Sequence, residues 1–273
     1  MNDIPNLSIT QITTFRWSLP DLVTHARDFG FPAIGLWMPR IGEFGEERAI
    51  DLILESGLEV SSLGAVGGFT GTHGHSWQDA LLDASDALHL AGRLGARTLA
   101  VLTGSRSSHT HKHARRLVRS ALLELADEAA ELQVELTVKP MRQSCSSQWT
   151  FLHEFRDAAR LVAECNHPAV KLAFGTWHLW DQPGIETLLE RYAHLIGSVQ
   201  LADGTAAPQG VEDQRLLGEG VIPFDSLLQP LRDADYSGFF ELDIWSSELW
   251  NHDYPNLLAH CRDQFARAAT VKR

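Results

Sequence analysis

The sequence predicts a (β/α)8 barrel, and three observations carry that prediction. Short apolar segments with the composition of buried strands alternate with amphipathic segments of helical period, and the alternation repeats eight times. The chain also has 273 residues, close to the typical size of about 250 residues for this fold. An open doubly wound sheet is the alternative, but no G-x-G-x-x-G fingerprint follows the first strand and no two-halves organisation is visible. We therefore predict one barrel domain over residues 1–273.

The predicted strands are short and mostly apolar. Residues 7–13 alternate apolar and polar side chains, as a strand with one buried face does. Residues 134–138 are followed at once by Lys139, and Arg142 comes three residues later, so the chemistry changes abruptly at this strand end. The predicted strands begin near residues 7, 33, 58, 97, 133, 169, 196 and 238.

The helical segments carry start and stop signals. Ser18 precedes Pro20 and Asp21, a combination typical of a helix N-terminus. Gly57 and Gly95 follow periodic apolar segments and predict helix ends, because glycine readily adopts the left-handed conformation found there. Further helices are predicted over about residues 43–56, 77–94, 114–132, 150–165, 184–195, 224–234 and 255–269.

Charge and composition limit the partners. The net charge is −12, whereas nucleic acid and anionic membrane surfaces both require a basic footprint, so we expect neither as a partner. No apolar run reaches the about 18–20 residues of a membrane span, and no secretory signal is visible. The three cysteines are odd in number and widely spaced, which argues against a disulfide framework or a zinc motif. We expect a cytoplasmic protein whose partner is a small-molecule substrate.

In a barrel of this kind the working residues lie at the carboxyl ends of the strands. Positive charges outnumber negative ones at these positions although the protein is acidic overall, which favours a substrate with a carboxylate or phosphate group. The alternative is that each cation pairs with an acid elsewhere. The cations are Arg16, Arg40, Arg106, Lys139 and Arg142, against Asp203 and Asp243.

Tryptophans also fall at predicted strand ends. Their indole rings can stack on a flat or sugar-like substrate face at a pocket mouth. Packing in the upper part of the barrel is the alternative for each of them. They are Trp17, Trp37, Trp177 and Trp245.

Two weaker patterns indicate ligand binding. Residues 104–108, Gly-Ser-Arg-Ser-Ser, precede a helix and can cradle a phosphate with backbone N–H groups, although an ordinary βα loop is the favoured explanation. Histidines alternate along two segments and can ligate a metal, but no carboxylate or cysteine stands at zinc-site spacing. A solvated helix start explains the second histidine segment. These histidines are His73 and His75 in the first segment, and His109, His111 and His113 in the second.

Six segments, spread over nearly the whole chain, carry a resemblance to a known family. They are residues 33–37, 57–63, 176–178, 199–203, 218–222 and 236–244. In this order they resemble the sugar phosphate isomerase/epimerase family of xylose isomerase-like barrels, in the AP endonuclease family 2 superfamily. The resemblance implies the same barrel and a divalent metal held by Glu, Asp, His and Glu from strands five to eight. It also implies proton transfer beside a carbonyl through an enediolate, and a homo-oligomer as the candidate assembly.

At all four ligand positions of that family, this chain differs. The E-P motif is replaced by Lys139-Pro140, and the acid of D-x-x-H by Gly175, while His178 remains. The histidine of V-H-x-x-D is replaced by Gln200, and the last glutamate by Asp243. An ammonium, a glycine, an amide and one carboxylate do not make a divalent-metal site, since a protonated lysine has no lone pair to give. We therefore predict that the protein has no metal and no cofactor.

The resulting prediction is a metal-independent isomerase, epimerase or lyase that acts on a small polar carbonyl or hydroxy compound. Lys139 would stabilise an enolate oxygen, bind a carboxylate, or act as a base or Schiff-base lysine. His178 and Asp243 would transfer protons. The alternative is an inactive barrel that binds a ligand or a partner subunit; DNA repair and a metal enzyme that uses the loop of His73 and His75 are less favoured. The predicted substrate-binding residues are Arg106, Arg142, Gln200, Arg215, Trp17, Trp37, Trp177 and Trp245.

Overall fold

Eight parallel strands close into a barrel in chain order, with β1 paired to β8, and this confirms the predicted fold class. The structure, a computed structural model, describes residues 6–71, 75–208 and 210–270, with residues 145–146 and 269–270 described by their backbone only. The observed strands begin within two residues of the predicted starts. They are β1 Leu7–Thr10, β2 Ala33–Trp37, β3 Glu59–Gly67, β4 Ala96–Leu102, β5 Glu135–Val138, β6 Val170–Gly175, β7 Ile196–Leu201 and β8 Phe240–Leu242.

Helices fill the connections between the strands. The α-helices of the described residues are α1 Leu19–Asp28, α2 Met38–Phe44, α3 Glu46–Ser56, α4 Trp77–Leu94, α5 His111–Glu131, α6 Gln143–Ser146, α7 Phe155–Cys165, α8 Thr176–Leu179, α9 Ile185–Tyr192, α10 Phe224–Asp233 and α11 Tyr254–Thr270. Short 3-10 turns occupy Ala193–Leu195, Val211–Asp213 and Leu249–Asn251. No helix among the described residues is long and apolar enough to cross a membrane.

Local signals set most helix boundaries. Ser18 and Ser76 each cap a helix, and the aspartate three residues later completes a capping box in both cases. Gly57 and Gly95 end α3 and α4 with positive φ angles of 72° and 65°, as predicted. The helix predicted over residues 43–56 is instead two helices that meet at Gly45, whose φ of 97° interrupts the helical path.

The other difference concerns the connection after β5. The helix predicted from residue 150 begins at Phe155, because the chain before it forms a loop tied to the end of β4. Thr150 makes an isolated parallel bridge with Gly104, and the side chain of Gln182 accepts a hydrogen bond from the Phe155 N–H. This loop brings Trp149 to the carboxyl end of the barrel.

The helices bury one face against the barrel. In α5 the buried face repeats at helical spacing, and each fully buried leucine or valine contributes roughly 1.5–3 kcal/mol relative to an exposed one. This face is composed of Ala114, Val118, Ala121, Leu122, Leu125, Ala126 and Ala129. The apolar layer between strands and helices holds the strand ends, and hence the site, in fixed positions.

Candidate active site

A cavity of about 430 Å³ opens at the carboxyl ends of the strands, where barrel enzymes carry their active sites. Its lining combines aliphatic, aromatic and polar side chains. The polar side chains of the lining are Thr10, Gln11, Ser62, Lys139, His178, Gln200, Gln214 and Asp243.

Lys139 and Asp243 form an ion pair across the top of the barrel. The Lys139 Nζ lies 3.2 Å from Asp243 Oδ2, and the two side chains are 14% and 18% exposed. Lys139 directly follows β5 and Asp243 directly follows β8, so the strand ends determine the separation. The Thr10 hydroxyl lies 3.1 Å from Asp243 Oδ1 and 3.0 Å from the Leu242 carbonyl oxygen. Two residues that the sequence places at different strand ends are thus in direct contact.

His178 lies in the same cavity with a defined tautomer. Its Nδ1 accepts a hydrogen bond of 3.3 Å from the backbone N–H of Arg142, so the proton of the neutral ring is on Nε2. Burial lowers the pKa of His178 well below its usual value, and the positive charges of Lys139 and Arg142 lower it further. His178 is therefore neutral at pH 7 and presents an N–H donor, which makes it an acid or electrophile rather than a base.

Arg142 does not line the cavity. Its guanidinium binds Asp181 in a bidentate pair, with nitrogen–oxygen distances of 2.9 and 2.7 Å, and it lies over the Trp177 ring. Its contribution to the site is made by its backbone, through the hydrogen bond to His178.

The other predicted cations also lie outside the lining. Arg40 pairs with Glu43, and Arg16 donates to the side-chain oxygen of Asn251. Arg106 and Arg215 are exposed and do not line the cavity. The predicted cationic mouth is therefore not formed, because within the described lining Lys139 and Asp243 are the charged residues and their charges cancel.

Two glutamines that the sequence did not single out present amide donors to the cavity. Gln11 Oε1 accepts the backbone N–H of Trp37 at 2.7 Å, and Gln214 Oε1 accepts that of Trp245 at 2.8 Å. Because a backbone N–H can only be accepted by the amide oxygen, both NH₂ groups are left as donors. The predicted residue Gln200 also lines the cavity, and its Oε1 is buried without a hydrogen-bond partner among the described residues.

Aromatic rings form a continuous belt around part of the cavity. Successive ring centroids from Trp37 through Phe15, Trp250 and Trp245 to Trp149 are 5.9, 4.5, 5.7 and 6.0 Å apart. Three of these rings, Trp37, Trp149 and Trp245, line the cavity itself. Trp149 and Trp250 were not predicted as lining residues because they lie beyond the strand ends, in the loop before α7 and in the last 3-10 turn.

The remaining predicted tryptophans have packing roles. Trp17 stacks on His25 at 4.4 Å and meets Tyr254 edge-on at 5.0 Å. Trp177 is buried beneath the loop after β7, and a Cβ placed on Gly204 would lie 2.5 Å from its ring. The packing alternative holds for these two residues.

The histidine segments do not form a metal site in the described residues. His75 is exposed and lies 3.6 Å from Asp83, while His73 falls outside the described residues. His109 contacts the Thr70 carbonyl oxygen at 3.0 Å. His113 contacts Arg116, and His111 meets Phe151 edge-on.

Asp203 stands at the aspartate of the V-H-x-x-D pattern, but its side chain binds backbone N–H groups. Its buried carboxylate accepts four backbone N–H groups at 2.8–3.1 Å, which come from Gly204, Gly218, Gly220 and Ile222. These bonds fold the segment after β7 back over the barrel and bring Val211 and Gln214 into the cavity lining.

The residues present do not fit the divalent metal of the related barrels. Gly175 pairs with Gln200 in register, and a Cβ at Gly175 would already lie 3.2 Å from His178 Cδ2, so a carboxylate there would crowd the imidazole. Asp243 is the one carboxylate at the four positions and is held by Lys139. No group of three histidine, cysteine, aspartate or glutamate side chains is placed to hold a metal ion within residues 6–71, 75–208 and 210–270.

A closed (β/α)8 barrel with a polar cavity at its carboxyl end is an enzyme-type architecture. A family model described as xylose isomerase-like TIM barrel matches residues 23–264. The chain belongs to the xylose isomerase-like TIM-barrel family, which confirms the resemblance inferred from the sequence segments. Among curated proteins, none matches the chain.

Solved structures show the same fold at low sequence identity. Protein SMc04130 from Sinorhizobium meliloti 1021 is 21% identical, with a TM-score of 0.89 over 96% of this chain and 98% of that one. The IOLI protein with a zinc atom is 17% identical, with a TM-score of 0.85 over 97% and 98%. The 3-keto-D-glucoside 4-epimerase YcjR from E. coli is 17% identical, with a TM-score of 0.77 over 97% and 99%.

Proposed function

We propose that the protein is a metal-independent isomerase of the sugar isomerase/epimerase type that acts on a small hydroxy-carbonyl compound by proton transfer. One observation carries the proposal: the Lys139–Asp243 ion pair shares a cavity with the neutral imidazole of His178. Proton abstraction beside a carbonyl requires a base and a positively polarised environment for the developing oxyanion. These three side chains supply both, and a solved structure with the same fold is named as an epimerase.

The reaction requires two proton transfers at carbon and one transfer of a proton between the two oxygens. The substrate carbonyl oxygen lies against the Lys139 ammonium and the Nε2–H of His178. The Asp243 carboxylate takes a proton from the neighbouring carbon, the C–H electron pair forms the C=C bond of an enolate, and the carbonyl pair moves to oxygen. The ammonium and the imidazole N–H stabilise that oxyanion. Asp243 then returns the proton to the former carbonyl carbon, and the hydroxyl proton of the neighbouring carbon moves to the former carbonyl oxygen, which gives the isomer.

The lining favours isomerisation over two-base epimerisation. Asp243 is the one carboxylate among the described lining residues, so a single base works from one face of the enolate. The paired charges, the amide donors and the aromatic belt favour a neutral polyhydroxy substrate over the anionic one predicted from the sequence. Loss of a neighbouring hydroxyl from the same enolate would give the lyase version of the reaction.

Hydrogen exchange tests the proposal. The protein is incubated in D₂O with D-fructose or a 3-keto-D-glucoside, and loss of the carbon-bound proton signal is followed by NMR. We expect exchange by the wild type and a fall of about 10²–10⁴-fold in Asp243→Asn, because general-base catalysis is lost. Lys139→Met and His178→Gln should also lose activity, whereas Lys171→Met, at the amino-terminal end of β6, should not.

The same samples separate the alternatives. Exchange that survives all three substitutions would contradict the assigned catalytic residues, whereas a wild type without exchange would support the inactive, ligand-binding barrel. Exchange should persist after dialysis against a chelator, and near-stoichiometric Mn, Zn or Co in the purified protein would contradict metal independence. Borohydride trapping of a substrate on Lys139 would assign the Schiff-base version. New alkene signals would assign the lyase version.

A further inference from the structure

A carboxyl group is buried inside the barrel, directly below the cavity. Glu241 is 1% exposed, and its carboxylate accepts hydrogen bonds from three serine hydroxyls. Ser61 and Ser62 donate to Oε1 at 2.6 and 2.5 Å, and Ser198 donates to Oε2 at 3.1 Å. No lysine, arginine or histidine of the described residues forms an ion pair with it. Burying a carboxylate without a paired cation costs free energy of folding, and such groups concentrate at functional sites.

The strands are shaped to hold this carboxyl. The register between β2 and β3 shifts so that Ile34 pairs with Val60 and Gly35 with Ser62, which leaves Ser61 as the extra residue of a bulge. A bulge breaks the alternation of side chains, so the neighbouring residues Ser61 and Ser62 both reach Glu241. On β2, a Cβ at Gly35 would lie 3.1 Å from Glu241 Oε1 and 3.0 Å from the Ser62 hydroxyl, so glycine leaves the space they occupy.

Ser62 connects the buried carboxyl to the cavity. It lines the cavity that holds Lys139, His178 and Asp243, while Ser61 does not. Ser62 therefore contacts the buried Glu241 carboxyl and also lines the cavity. Burial raises the pKa of Glu241, and the negative charge of Asp243 raises it further, against the lowering effect of the serine hydrogen bonds. A raised pKa makes the Glu241 carboxylate a stronger base than an exposed one.

We propose that Ser62 relays the hydroxyl proton of the substrate to and from Glu241 during isomerisation. Moving a carbonyl between neighbouring carbons requires one oxygen to lose its proton and the other to gain one, which Asp243 does not do. The substrate O–H gives its proton to Ser62 Oγ as the Ser62 hydroxyl proton moves to Glu241 Oε1. The reverse pair of transfers delivers a proton to the former carbonyl oxygen. The protein ends unchanged, and the inference rests on the proposed isomerase function.

Two rates measured in one D₂O experiment test the relay. Exchange of the carbon-bound proton needs only the enolate, whereas conversion of D-fructose or a 3-keto-D-glucoside into its isomer also needs the transfer between oxygens. Ser62→Ala and Glu241→Gln should slow conversion by about 10²-fold or more while exchange continues, because general acid–base transfer is lost. Ser61→Ala is the matched control, since it removes an equivalent hydrogen bond to the same oxygen and should keep the ratio of the two rates. Thermal unfolding checks that each variant folds.

The outcomes distinguish a failure of the relay from a failure of the isomerase proposal. A rise in the exchange-to-conversion ratio in Ser62→Ala and Glu241→Gln, but not in Ser61→Ala, supports the relay. An unchanged ratio in either variant, in a wild type that is active, overturns the relay and leaves the isomerase proposal standing. A wild type with neither exchange nor conversion on the panel overturns both. If Ser62→Ala does not fold, the ratio in Glu241→Gln, a near-isosteric change, decides.

Discussion

Removal of the Lys139 ammonium should destabilise the protein by leaving the Asp243 carboxylate without its partner. The two groups are 3.2 Å apart and about five-sixths buried. Breaking a buried pair on one side typically costs about 3–5 kcal/mol. Asp243 keeps the Thr10 hydroxyl and some access to the cavity, so we expect roughly 2–3 kcal/mol for Lys139→Met. At this chain length that corresponds to a fall of roughly 4–12 °C in Tm.

A double-mutant cycle isolates the pair. Unfolding free energies are measured by urea denaturation, with circular dichroism and tryptophan fluorescence, for Lys139→Met, Asp243→Asn and the double variant. The double variant should lose little more unfolding free energy than either single variant. This result gives a coupling free energy between the two side chains of about 2 kcal/mol. Lys112→Met, in the exposed first turn of α5, is the control and should stay within about 0.5 kcal/mol of the wild type. Additive single costs, with a coupling below about 0.5 kcal/mol, would refute the ion pair in solution.

Two further predictions concern carboxylates that the cavity depends on. Asp203→Ala should lower the unfolding free energy by about 3 kcal/mol and expose the segment after β7 to limited proteolysis, because four backbone N–H groups lose their acceptor. An unchanged cleavage pattern would contradict this. The folded pKa of Glu241 is raised above 4.5, so between pH 4.5 and that folded pKa the folded state holds a proton that the unfolded state has lost. The unfolding free energy of the wild type should therefore fall relative to that of Glu241→Gln as the pH rises from 4.5 to the folded pKa. The fall should be up to about 1.4 kcal/mol per pH unit. The unfolding free energies of both proteins are measured by denaturation from pH 4 to 8. A constant difference between them over this range would show the prediction to be wrong.

Much of the fold was predictable because its signals are local. The capping boxes of Ser18 and Ser76, and the glycines that end α3 and α4, act within a few residues of chain. Strand segments differ from helical ones by their period and length, so the eight repeats and the closed barrel followed from the sequence. The split of the helix at Gly45 was missed because a single glycine is compatible with either one helix or two.

The sequence also predicted part of the cavity lining, since strand ends in a parallel barrel converge. Lys139, His178, Gln200 and Asp243 were predicted from that rule and from the family pattern, and all four line the cavity. The rule failed for the arginines and for two of the tryptophans. The rule does not predict which partner a long side chain binds. Arg142, for example, binds Asp181 and does not line the cavity.

By itself, the sequence determined the barrel, the strand order and the substitution of lysine for a family glutamate. Only the tertiary structure decided what those residues can do. Lys139 and Asp243 are separated by 104 positions in the chain, so their contact depends on barrel closure. The tautomer of His178 depends on a backbone N–H from another strand end, and the environment of Glu241 depends on a bulge and a facing glycine. Protonation and charge pairing depend on burial and on neighbours distant in the chain, and these exist only once the barrel is closed.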